Sequence, residues 1–311
     1  MRQHYIPKFI VEGFVTDDSS GNRGVWLYSA TRKKWDRRPT TRVASAQDFY
    51  SFIEASGERD DQLEQFLESI ETPVAKLLKR DILARNPLQP PHPDDIFVTF
   101  CALLIMRNPA TISRTKAVLV NNAKDHIDEI TSSHESFQAF RRDFAAKTGR
   151  DFPNIIEFQR LRTDFEIGAT KSAGLGFSLA ASVAIREDLG RMAVDFMFAP
   201  AAGPRFITGD VPFVIINSET DKTKFDQVVI PLSAEVTAIF NASDQPEYGY
   251  LTASSSNVCA VNRAMLGVAQ NFIISSTRDP FPSEILDRWA EADRDGRIEI
   301  VRELMLQEMG A

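Results

Sequence analysis

The chain has 311 residues, 43% hydrophobic and 25% charged, with a formal net charge of −7 and a pI near 5.3. That length supports a substantial core in one large domain or two modest ones, and the composition is ordinary for a soluble globular protein. The acidic balance argues against an extended basic nucleic-acid surface, and the longest apolar run, Phe97–Met106, is too short to cross a bilayer.

Residues 4–14 read as an irregular or helical entry segment with Tyr5, Ile6, Phe9, Ile10 and Phe14 apolar. Asp17 to Asn22 has the composition of a turn. Val25 to Tyr28 is strand-like, and Arg32 to Asp36 turns the chain, closing a hairpin whose basic run reads as a solvated tip. Two helices follow. In the first, Leu63, Phe66, Leu67, Ile70, Val74, Leu77 and Leu78 recur at helical spacing, with Asp60 or Asp61 as cap and Pro73 as a bend. The second begins near Pro93 to Asp95 and is apolar on most sides, which predicts a central position; Asn108-Pro109 interrupts it.

Residues 110–198 read as helical, in pieces near 111–130, 134–148, 153–165 and 175–192, with Met192 to Phe198 turning into a strand. Short strand-like runs then occur at 205–208, 213–216, 228–230, 236–240 and 272–275, with a helix near 257–270 and two terminal helices over 282–309. The pattern predicts an α+β fold: predominantly helical, with a small, mainly antiparallel sheet to which the N-terminal hairpin and the C-terminal strands contribute. One interwoven domain over 1–311 is expected, with a helical middle at about 60–195 and a strand-containing part at about 195–280. Cys101 and Cys259 sit far apart in apolar strings and read as buried thiols. With no apolar signal core at the first residues, a cytoplasmic setting is expected.

No phosphate-binding glycine loop, dinucleotide fingerprint, nucleophile elbow or paired-cysteine zinc site occurs in the sequence. What remains is polar residues in apolar strings. Glu71 and Arg107 fall on core-facing stripes of consecutive helices, and burying either charge alone would cost several kcal/mol, so they are expected to meet each other or to share a third polar group, as a buried structural pair or within a pocket. Asp210 follows a strand-like run, where Thr208 would share its face. His4 is the best proton-transfer candidate because its charge changes near neutral pH. Tyr5 and Asn262 are further polar candidates for substrate contact.

Together these residues resemble an uncharacterised, mostly bacterial family catalogued as domain of unknown function 4238. The resemblance runs almost end to end. It rests on Gln3-His4-Tyr5-Ile6-Pro7, Phe14, the strand Val25 to Tyr28, Asp48-Phe49-Tyr50, Ile70-Glu71 and Arg107-Asn108-Pro109. It continues through Phe206-Ile207-Thr208-Gly209-Asp210-Val211-Pro212, Pro231-Leu232-Ser233 and Asn262. At Gly209 and Val211 the family prefers Ser and Asn. The resemblance implies that His4, Glu71, Arg107 and Asp210 belong to one site, and it attaches no activity to them.

By residue chemistry, a His, two carboxylates and an Arg suit hydrolysis of a phosphoester or another anionic substrate, in a nuclease-like or defence-related role. His4 would be acid or base, Asp210 a base or metal ligand with Glu71 as second candidate ligand for a divalent metal, and Arg107 a charge stabiliser. Tyr5, Thr208 and Asn262 would contact a small anionic ligand or nucleic-acid substrate. The alternative is a non-enzymatic ligand-binding or protein-interaction module in which the same residues hold the core. Convergence on an open cleft would favour the first, and a sealed, mutually satisfied cluster the second.

Overall fold

The computed structural model describes residues 2–18, 20–53, 59–92, 94–151, 154–160, 171–221 and 224–309. Contacts gather the chain into two units, Met1–Asn108 with Ser182–Ala311, and Pro109–Ala181. In the first part of the larger unit the order is β1 (Arg2–His4), α1 (Lys8–Glu12), β2 (Thr16–Asp17), β3 (Arg23–Ser29), β4 (Lys34–Arg38), β5 (Ser45–Gln47), β6 (Phe52–Ile53), β7 (Arg59–Asp60) and α2 (Gln62–Leu77). A π-type turn, Leu78–Ile82, leads to α3 (Ile96–Met106). The smaller unit contains α4 (Pro109–Ile130), α5 (His134–Thr148), α6 over 155–160 and the beginning of α7 (Lys171–Leu189). The larger unit resumes with β8 (Ala193–Phe198), β9 (Thr208–Gly209), β10 (Val214–Asn217), β11 (Phe225–Pro231), β12 (Val236–Asn241) and β13 (Tyr248–Thr252). It ends with α8 (Ser255–Val268), β14 (Phe272–Ser275), α9 (Ser283–Glu291) and α10 (Arg294–Met309).

The fold is α+β, and its strands form more than one small sheet. One five-stranded sheet, β10-β11-β12-β8-β13, is built wholly from the C-terminal part and is antiparallel except where β13 runs parallel to β8. A second holds the N-terminal hairpin β3-β4, with β14 on the other edge of β3 and β9 beyond it. The hairpin therefore joins only two of the C-terminal strands, whereas the sequence pattern predicts one shared sheet. A lone hairpin is marginal in water. Here Tyr28 and Trp35 pack on one face against a core that includes Phe206, Ile273 and Trp289, and the Tyr28 hydroxyl donates to Asp287 of α9 at 3.0 Å.

Asp95 starts α3 by accepting hydrogen bonds from the Phe97 and Val98 amides. Almost every later residue of that helix is buried, as its apolar circumference predicts. The Phe97 ring packs against Phe196 and Phe240 of the larger sheet. Helix α2 runs through Pro73 as one element. No single helix among the described residues is long and apolar enough to cross a membrane.

The smaller unit has its own core of Ile127, Ile130, Phe137 and Phe158. Ser133 caps α5, and Gly149 ends it with φ of +68°, a conformation glycine adopts without steric cost. The expected helix at 153–165 lies partly outside the described residues.

Three local expectations differ from the structure. Strand β13 is not foreseen from the sequence, because Gly249 interrupts its apolar pattern; a Cβ there would collide with Asp195. The run 205–208 is strand only at its end. The Phe206 amide instead donates to the Ala234 carbonyl and the Ile207 amide to the Asn262 side chain. Cys101 is buried, but Cys259 is only partly so.

Candidate functional site

Glu71 of α2 and Arg107 at the end of α3 form an ion pair of 2.6 Å. Arg107 is 1% exposed, whereas the Glu71 side chain keeps 23%. The Arg107 guanidinium also lies over the Tyr50 ring, 5.7 Å from its centroid. Burial pushes the Arg107 pKa down, but Tyr50, Glu71 and Glu64 more than offset this and hold the charge in place. Gln3 closes the cluster: its Oε1 accepts from the Tyr50 amide at 2.5 Å and its Nε2 donates to Ser51. Residues from four of the short strings of the sequence thus pack together, with Gln3, Tyr50 and Arg107 buried and Glu71 at the margin, where water reaches it.

Asp210 is also buried. Its Oδ1 accepts from the Gln270 amide at 2.8 Å, and its Oδ2 accepts from the Asn271 amide at 2.8 Å and Asn271 Nδ2 at 2.6 Å. Asn108, next to Arg107, donates to the Asp210 carbonyl at 2.7 Å. Burial raises the Asp210 pKa, against the pull of these amides. The loop that Asp210 grips is held from behind by Arg297, which donates to the Ala269 and Gln270 carbonyls. Gly209 fits closely beside Ala269 and the Phe272 carbonyl, where an added Cβ would lie within 3.0 Å of both.

The open space lies next to this cluster. Strand alternation places Leu27 and Ser29 on the same face of the hairpin sheet as Asp36, Arg38 and Phe272. Tyr5 and the segment 42–45 stand over that face and leave a cleft of about 290 Å³. Its polar lining is Tyr5, Ser29, Thr31, Arg32, Arg38, Arg42, Ser45 and Asn271. Asp36 pairs with both Arg32 and Arg38, which fixes two guanidinium groups at the cleft. Arg42 has no carboxylate partner among the described residues, and it is exposed. The cleft is therefore locally cationic in a chain of net charge −7.

Of the residues that stand out in the sequence, Tyr5 lines this cleft, whereas His4, Glu71, Arg107, Thr208, Asp210 and Asn262 do not. His4 Nε2 hydrogen-bonds the Thr40 carbonyl at 3.2 Å and so pins the turn Thr40–Arg42 that carries Arg42. Asp210 orients Asn271. Tyr5 lines the cleft, and burial, then the Asp210 charge, push its pKa up. Thr208 is fully buried, and its hydroxyl has no hydrogen-bond partner among the described residues. Asn262 clamps the backbone at Arg205 and Ile207. For the metal reading, no three His, Cys, Asp or Glu side chains come together among the described residues, and the Asp210 and Glu71 carboxylates are engaged as above.

Sequence pattern alone does not single out the arginines, Ser29 or Asn271, because the basic run 32–34 reads as a solvated tip. The structure divides that run: Lys33 reaches Glu291, whereas Arg32 and Lys34 turn to Asp36. The usable signal is Asp36-x-Arg38 on a strand, which puts both charges on one face.

A family model described as "Protein of unknown function (DUF4238)" matches residues 2–279. No curated protein and no solved structure matches the chain.

Proposed function

The chain belongs to the DUF4238 family, a family of unknown function, and we propose from the site geometry that it binds a small phosphate-bearing ligand in the arginine-lined cleft. The observation that carries this reading is the meeting of Arg32, Arg38 and Arg42 on one cleft of about 290 Å³, with Asp36 bridging only the first two. Planar guanidinium groups match phosphate oxygens in paired hydrogen bonds, and Tyr5 and Asn271 add neutral donors. The volume suits one or a few phosphates with a small organic group, rather than the backbone of an extended nucleic acid. The free cysteines accord with a reducing, cytoplasmic setting.

Hydrolysis of a phosphoester is the fuller form of the same reading. It would assign charge stabilisation to Arg38 and Arg42, with His4, Asp210 and the Glu71–Arg107 pair holding the frame. Binding is the part that the geometry supports best, because His4, Glu71 and Asp210 all have structural partners already.

Calorimetric titration with pyrophosphate tests the reading. Wild-type protein should bind it, and Arg42→Gln should weaken binding by about tenfold, the value of one charge-assisted contact. Arg42 is exposed and lacks an ion-pair partner among the described residues, so the variant should keep its melting temperature. Equal binding by both proteins, or no binding, would overturn the proposal. Tighter binding of a long oligonucleotide than of pyrophosphate would assign the cleft to nucleic acid instead.

A further inference from the structure

A second cleft, of about 360 Å³, shares no lining residue with the first. Cys259, Asn262 and Arg263 reach it from one face of α8, at i, i+3 and i+4. Pro204, Pro280, Phe281, Pro282 and Leu304 supply an apolar wall. Three prolines in that wall fix the local backbone, so the cleft needs little ordering to receive a ligand.

The polar end is equally preformed. Arg205 donates to the Pro200 and Ala201 carbonyls at 2.8 and 3.1 Å, which hold the guanidinium in place without neutralising it. No carboxylate pairs with Arg205 among the described residues. Asn262 uses both ends of its amide on the backbone, at the Arg205 carbonyl and the Ile207 amide, and so locks the segment that bears Arg205. A fixed, partly buried cation beside an apolar wall suits a ligand with an apolar body and an anionic head.

We propose that this cleft is a second ligand site, taking a small apolar molecule that carries a carboxylate. The carboxylate meets Arg205, and the hydrocarbon lies along Phe281, Leu304 and the prolines. The proposal is independent of the arginine-lined cleft.

Octanoate and its neutral isostere octanamide are suitable probes with the wild-type protein. Octanoate should bind in calorimetry, about tenfold more tightly than octanamide, as expected for one charge-assisted contact. It should also slow alkylation of Cys259 by N-ethylmaleimide, read by peptide mass; Cys101 is buried and should stay unmodified. Cys259→Phe, which fills the cleft from α8, should abolish octanoate binding. Absence of octanoate binding overturns the proposal, as does binding that leaves Cys259 alkylation unchanged or persists in a folded Cys259→Phe variant. Equal affinity for octanamide overturns the assignment of the carboxylate to Arg205. If Cys259→Phe does not fold, the wild-type comparison of the two probes decides the matter.

Discussion

Breaking the Glu71–Arg107 pair from its two sides should give unequal losses, because the partners are unequally buried. Arg107 is 1% exposed and the Glu71 side chain 23%. Glu71→Ala leaves a sealed guanidinium without its carboxylate and should cost about 3–5 kcal/mol, the range for an uncompensated buried charge. Arg107→Met leaves a carboxylate that water still reaches. Its cost should be about 2 kcal/mol, from lost packing and lost contact with the Tyr50 face. In the double variant Glu71→Leu/Arg107→Met no buried charge remains, and at least half of the Glu71→Ala loss should be recovered. The assay is urea unfolding at neutral pH followed by tryptophan fluorescence. Trp26, Trp35 and Trp289 all lie in the larger unit, as the pair does, so the signal reports the relevant core. Single-variant losses below about 1 kcal/mol that simply add in a double variant would show that the two side chains are not coupled, since additivity marks independent sites.

Three further consequences concern Asp210 and Gly13. In Asp210→Asn one carboxylate oxygen becomes an NH₂ that faces donors, so at least one buried N–H loses its acceptor, at a cost of about 1–3 kcal/mol in the same unfolding assay. A variant as stable as wild type would contradict that. Because the Asp210 pKa is raised in the folded protein, the native state holds this proton more tightly than the unfolded chain does. The stabilisation tied to that proton is present below the ordinary carboxylate range and is lost as pH rises through the raised value. The stability advantage of wild type over Asp210→Asn should therefore shrink as pH rises through that window; an advantage that grows would reverse the assigned direction. Gly13→Ala should cost about 1–3 kcal/mol, because its Cβ would lie 2.6 Å from the Ser233 Cβ and 2.9 Å from the Leu232 carbonyl oxygen. An unchanged melting temperature would show that the turn at 232–234 yields freely.

Much of the architecture is written in local pattern. Helix α3 is legible because an Asp cap precedes an apolar run of helical length, and the hairpin because a strand-like run leads into a polar turn. The Glu71–Arg107 pair is legible because two charges on core-facing stripes of consecutive helices must compensate each other. Strand β13 is hidden, because its glycine answers to Asp195, a residue on another strand. The arginine-lined cleft is hidden for a similar reason: Arg38, Arg42 and Asn271 meet only once β14 pairs with β3. His4 and Asp210 stand out in the sequence as polar residues in apolar strings. That pattern marks them as buried and hydrogen-bonded, and does not distinguish a residue that touches a ligand from one that positions its neighbour.

The proposed anion position lies among Arg32, Arg38, Arg42 and Asn271. Anomalous scattering from a crystal soaked with tungstate, a heavy phosphate analogue, tests it most directly. A peak is expected in that cleft, within hydrogen-bond reach of Arg42, and should disappear when excess pyrophosphate is added. An empty cleft at saturating tungstate, or tungstate bound only elsewhere on the protein, would contradict it.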